Sequence, residues 1–220
     1  MYKKITHSIT EEHFEHPMAA EIKSYVEHCG TATMAFHSTG THRSTALGAT
    51  AANVGLDAYK LWSDLANTNK SIVSASVNNP SQISFLQSKA MANINAIGAY
   101  CNHQYGVAAG NAVIKTLYDF ELALIHMIEV AARGQDTTEA KAAVDKHIAE
   151  IGTLLSGANP THWPKATIIS AFEQYAAQIL LAVPAESKKQ CDTVNTISHN
   201  IDALFSTIAA VFASGFTGNF

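Results

Sequence analysis

Val194, Ile197, Ile201, Leu204, Ile208 and Val211 recur at steps of three and four residues. That ladder puts six apolar side chains on one stripe of an α-helix, and such a stripe has to be buried against other helices. The same rhythm runs through the preceding sequence. Val54, Ala58, Leu61, Leu65, Thr68, Ile72 and Ala75 share one helical face, as do Val113, Leu117, Phe120, Leu124 and Ala131. Val144, Ile151 and Leu155 mark a further helix, and Ile168, Phe172, Tyr175 and Ile179 another. No segment sustains period-two alternation of β-branched residues, so essentially no sheet is expected.

Punctuation separates these segments. Asn78, Asn79 and Pro80 stop the first long helix, because proline disfavours helix at the residue before it. Ser81 is a candidate cap for a second helix running to about Tyr100. Residues His103 to Gly106 form the next turn. Arg133 and Gly134 close the third helix as a basic residue and a C-terminal glycine. Asp136 to Glu139 reads as a capping box for the fourth. The segment Gly157 to Pro164 leads into a fifth helix expected to stop before Pro184, and a sixth runs from about Ser187 to near Gly215. The predicted fold is all-α: an antiparallel bundle of about six helices, or three αα-hairpins with the third shorter, over residues 47–220. Turns at Pro80 and Thr137, and closing asparagines at Asn102 and Asn159, recur at similar separations and suggest an internal repeat. Leu61, Leu65, Leu117, Phe120, Leu124, Val144, Ile151, Phe172, Ile179, Ile197, Ile201, Leu204 and Ile208 form the expected core.

Residues 1–46 differ. They hold six of the eleven histidines and end in a polar stretch, and they read as an arm with a short helix between about Thr10 and His28. Glu11, Glu12, His13, Glu15 and His16 occupy the place where a secretory signal would be apolar, so no signal peptide is expected. The run Ala203 to Phe216 is too short for a bilayer span, and no membrane span is expected. Cys29, Cys101 and Cys191 are widely separated, which reads as reduced thiols in the cytoplasm or another reducing compartment.

Only 15% of residues are charged and the net charge is −4, so no basic excess exists to neutralise phosphates, and nucleic acid is not an expected partner. A surface built from Ser, Thr, Asn and Gln repels other surfaces weakly and suits association.

Three segments carry a resemblance: Leu61 to Ile72, beginning Leu-Trp-Ser-Asp; Tyr105 to Asn111, Tyr-Gly-Val-Ala-Ala-Gly-Asn; and Leu154 to Trp163, with Ser-Gly-Ala-Asn-Pro-Thr-His-Trp. They resemble signatures of a family of small all-helical proteins of spore-forming bacteria that has no agreed function. The resemblance covers roughly residues 55–216. It implies an all-helical fold and no activity. Family members tend to place histidines on several helices; this chain has Leu65, Glu121 and Leu204 there, which argues against an inherited metal site.

Few residues point to chemistry. A di-metal carboxylate bundle needs Glu-x-x-His on two helices, and the bundle segments lack it. Glu12 and His16, at i and i+4 in the arm, could share a helical face, but a solvated amphipathic arm with incidental histidines is the favoured reading. Glu121 lies at the edge of the third helix's apolar stripe, where desolvation raises a carboxyl's pKa. His126 and Glu129 stand at i and i+3 on the same helix but nearly opposite that stripe, and His147 and His199 are lone helix histidines, a class more often structural than ligating. No nucleophile elbow or phosphate loop is present, and Trp62 and Trp163 read as packing anchors. Phe205, Phe212, Phe216 and Phe220 either close the end of the bundle or dock on a partner, with Phe212, Phe216 and Phe220 as the interface candidates.

The expected function is therefore a non-enzymatic helical structural or interaction protein, a homo-oligomer or a component of a larger assembly, with no cofactor required. The alternative is a metal- or small-ligand-binding bundle using Glu121, His126, His147 or His199.

Overall fold

The computed structural model describes residues 51–217, with side chains from 55 to 216 except at position 104. The expected arm, with Glu12 and His16, and Phe220 lie outside the described residues. The bundle belongs to the unit Arg43–Phe220.

Among the described residues the fold is all-α. Six long helices follow one another: α1 (Ala51–Asn78), α2 (Ile83–Tyr105), α3 (Val107–Ala132), α4 (Thr138–Ala158), α5 (Lys165–Ser187) and α6 (Cys191–Thr217). One 3-10 turn, Pro80–Gln82, joins α1 to α2. The third hairpin, α5–α6, is as long as the others, against the shorter one expected.

The helix ends follow from local chemistry. Gly106 alone links α2 to α3, at a φ of 84° that suits glycine. After α3 the amide of Gly134 donates to Ala131 O (2.9 Å) and that of Gln135 to Val130 O (3.1 Å). This is the left-handed helix stop that Arg133 and Gly134 predict. Asp136 Oδ1 accepts from the Thr138 amide at 3.0 Å and starts α4. Ser81 caps nothing: its hydroxyl donates to Asn79 Oδ1 (2.6 Å).

The fifth helix departs from expectation. Pro184 lies inside α5, which runs on to Ser187. Proline deletes one amide donor, but Pro184 is exposed while Ala182, Val183, Ala185 and Glu186 beside it are buried. Tertiary packing on that face carries the helix past the missing bond. It then stops at Lys189, which takes a φ of 53°.

Each helix packs against the next. Paired contacts show the antiparallel sense: Asn93 on Thr68 between α1 and α2, Asn95 on Tyr118 between α2 and α3, and Asn200 on Gln178 between α5 and α6. Lys70 on Asp202 (2.6 Å) returns α6 to α1. The odd-numbered helices α1, α3 and α5 also touch one another and form the centre. The α2–α3 approach is close because two glycines face each other: a Cβ on Gly110 would lie 2.5 Å from Gly98 O.

Most of the expected core is buried, from Leu65 and Leu117 to Ile201 and Ile208. Leu61 and Leu204 are only partly buried. Trp62 and Phe205, one helical step on, take the inward positions instead, at 1% and 3% exposure. Of the described helices α5 is long and apolar enough to cross a membrane by length and composition, although 44% of its most apolar stretch is buried in the bundle.

Candidate functional site

Three polar side chains meet where the odd-numbered helices converge. Asn69 comes from α1, Glu121 from α3 and Tyr175 from α5, and each is at most 1% exposed. Asn69 Nδ2 donates to Glu121 Oε2 (3.1 Å) and to Tyr175 Oη (2.8 Å). Asn69 Oδ1 and Glu121 Oε1 have no hydrogen-bond partner. Phe205 closes the site with its ring edge-on to Tyr175, centroids 4.5 Å apart.

Electrostatics follow from this burial. Desolvation pushes the Glu121 carboxyl up from 4.5 to about 7, and the Asn69 bond offsets it only partly. Desolvation, then the Glu121 charge, holds the Tyr175 hydroxyl well above its ordinary range. The site therefore exchanges one proton near neutrality at Glu121. A proton there turns one carboxyl oxygen from an acceptor into a donor in a site with surplus acceptors.

A second group closes the end of the bundle where α2 meets α3. Trp163 Nε1 donates to Val211 O (3.0 Å) and Phe212 O (3.2 Å) of α6. Asn159 Nδ2 donates to Gly215 O (3.1 Å), and Tyr105 Oη donates to the same carbonyl. These bonds occupy α6 carbonyls near a helix C-terminus. Tyr105, Asn159 and Trp163 all belong to the motif segments named above, so those motifs do structural work here. Trp62, in the first motif, packs against Phe172, Phe205 and Phe212. Both tryptophans are packing anchors.

Phe212 and Phe216 are corrected by the same group. They are 2% and 0% exposed. Both pack on Trp163, at centroid distances of 5.8 and 5.5 Å. Their rings fill the bundle end and are not free to meet a partner.

The remaining sequence candidates do not converge. Glu121 is central, whereas His126 on α3 and His199 on α6 are exposed, so neither is the inward residue the alternative reading needs. His147 on α4 is partly buried, its Nδ1 lying 2.8 Å from Glu150 Oε2. Asp119 on α3 approaches the same pair.

Sequence reasoning missed Asn69, whose neighbour Thr68 was assigned to the buried face. Both are buried; the Thr68 hydroxyl donates to Asp64 O (2.8 Å), while Asn69 reaches the centre. It also missed Glu186 of α5, which is 4% exposed and accepts from Ser74 Oγ (2.8 Å) and Asn78 Nδ2 (3.1 Å). An asparagine at i+4 from Leu65 was the available signal for the first.

Cys101 is a free, buried thiol that desolvation pushes up to about 12, so it is a poor nucleophile. Cys191 is disulfide-bonded, so it is not the reduced thiol expected of it.

Comparison with protein-family models, curated proteins and solved structures found no match.

Proposed function

We propose that this chain is a non-enzymatic helical structural or interaction protein that associates with further copies of itself. The observation that carries this reading is apolar surface on a sparsely charged bundle. Leu56 and Tyr59, one helical turn apart on α1, are 67% and 50% exposed. Phe85 on α2 is 70% exposed, and Leu122 and Leu181 are about half exposed. Single exposed apolar residues are ordinary, but adjacent ones that include an aromatic ring are the composition of a contact surface. Covering one leucine or aromatic side chain is worth about 1.5–3 kcal/mol. A symmetric contact covers each twice.

In this reading Glu121, Asn69 and Tyr175 hold three helices in register and do no catalytic chemistry. Light scattering on the full chain across a range of concentrations tests the proposal. An oligomer that loosens in the Leu56→Glu, Tyr59→Lys double variant supports it. A strict monomer at high concentration refutes it.

A further inference from the structure

Asp119 of α3 and His147 and Glu150 of α4 each bring one ligand-type atom into a group in which all three lie within 4.8 Å of one another. The arrangement follows from the fold. His147 and Glu150 are at i and i+3, so they share a face of α4, and α3 packs alongside and supplies Asp119. The His147 side chain is 19% exposed, Glu150 45% and Asp119 34%, so the group sits in a shallow, water-accessible seat.

We propose that Asp119, His147 and Glu150 form a binding site for a first-row divalent cation of the zinc type. The donor set selects this class. An imidazole nitrogen with two carboxylates suits zinc and its neighbours, whereas magnesium and calcium take oxygen donors. Three protein ligands with solvent on the open side leave the fourth position to water. The 2.8 Å between His147 Nδ1 and Glu150 Oε2 has to widen to roughly 3.3 Å around a tetrahedral zinc ion with bonds near 2 Å. The Glu150 side chain, 45% exposed, makes that adjustment by rotation.

The site has built-in competitors. Lys115 Nζ lies 2.6 Å from Asp119 Oδ2, and Lys146 Nζ 3.9 Å from Glu150 Oε1. A bound cation displaces Lys115 from its carboxylate, and exposed ion pairs of this kind release cheaply. Removing Lys115 therefore strengthens binding, an outcome that a merely sticky acidic surface does not predict to depend on His147.

The test is calorimetric titration of the full-length, metal-stripped chain with zinc chloride. Any zinc taken up by the six histidines of residues 1–46 is common to all variants, so the readout is the difference between variants. His147→Gln is expected to lose one equivalent, or to weaken it at least tenfold, with unchanged circular dichroism. Lys115→Met is expected to tighten the same equivalent several-fold, and the gain is expected to vanish in the Lys115→Met, His147→Gln double variant. Millimolar magnesium is expected to leave it in place. The same number of zinc ions at the same affinities in wild type and His147→Gln overturns the proposal, as does a Lys115→Met gain that persists without His147.

Discussion

Asn69 Nδ2 donates to Glu121 Oε2 across 3.1 Å at the centre of the bundle, joining residues 52 positions apart in the chain. The bond leaves Glu121 Oε1 and Asn69 Oδ1 without partners in a site closed to solvent. Leaving a buried polar atom unsatisfied costs about 1–3 kcal/mol. The centre of the fold is thus held at a cost that depends on the Glu121 proton.

Stability is expected to fall as pH rises through the Glu121 titration. The carboxyl has an ordinary value of 4.5 and a folded value of about 7, so the folded chain holds the proton that the unfolded chain releases. The contribution is full below about pH 4.5 and lost by about pH 7, and it amounts to about 3 kcal/mol as an order of magnitude. Urea unfolding of wild type and Glu121→Gln between pH 4.5 and 8 measures it. The variant is expected to lose this pH dependence and to exceed wild type by about 2 kcal/mol at pH 8. Parallel pH profiles for the two chains would show that Glu121 is not the group.

Gly215→Ala is expected to destabilise the bundle by about 2 kcal/mol. A Cβ at Gly215 would run into the Trp163 indole, whose Nε1 is fixed on two α6 carbonyls. A rigid ring has no cheap escape, so thermal melting should show the loss. An unchanged melting temperature would mean that the α6 end moves freely.

Lys189→Gly is expected to stabilise by about 1 kcal/mol. Lys189 takes the left-handed conformation that ends α5, with its amide on Glu186 O (3.0 Å) and the Gln190 amide on Ala185 O (2.9 Å). Glycine keeps both bonds and relieves the backbone. Denaturant midpoints at constant m-value test this, and a lower midpoint would contradict it.

Alkylation of Cys101 is expected only on unfolding. Its thiol is 1% exposed and pushed up to about 12, so thiolate is scarce and access is closed. Peptide mapping after iodoacetamide treatment of native and denatured protein distinguishes the cases. Rapid native labelling would show that the α2 end opens.

The fold was legible because its signals are local. The ladder Val194 to Val211, the stop at Gly134 and the start at Asp136 each depend on neighbours within one or two turns. The misreadings arose where a distant partner decides. Pro184 ends a helix by local rules, yet buried neighbours carry α5 past it. Phe212 and Phe216 look surplus to the α6 seam until Trp163, from the α4–α5 connection, covers them. Glu121 was visible as a boundary carboxylate, but its closure depends on Asn69 and Tyr175 from other helices. Asp119 and Glu150 gave no signal, because only the register of α3 against α4 brings them to His147.

The proposal of self-association is tested most directly by sedimentation equilibrium of the full-length chain over a hundredfold range of concentration. The account predicts a mass that is a multiple of the monomer and that declines toward it on dilution. It also predicts a weaker association constant for the Leu56→Glu, Tyr59→Lys variant at unchanged helicity. A monomer mass at every concentration in wild type would contradict it.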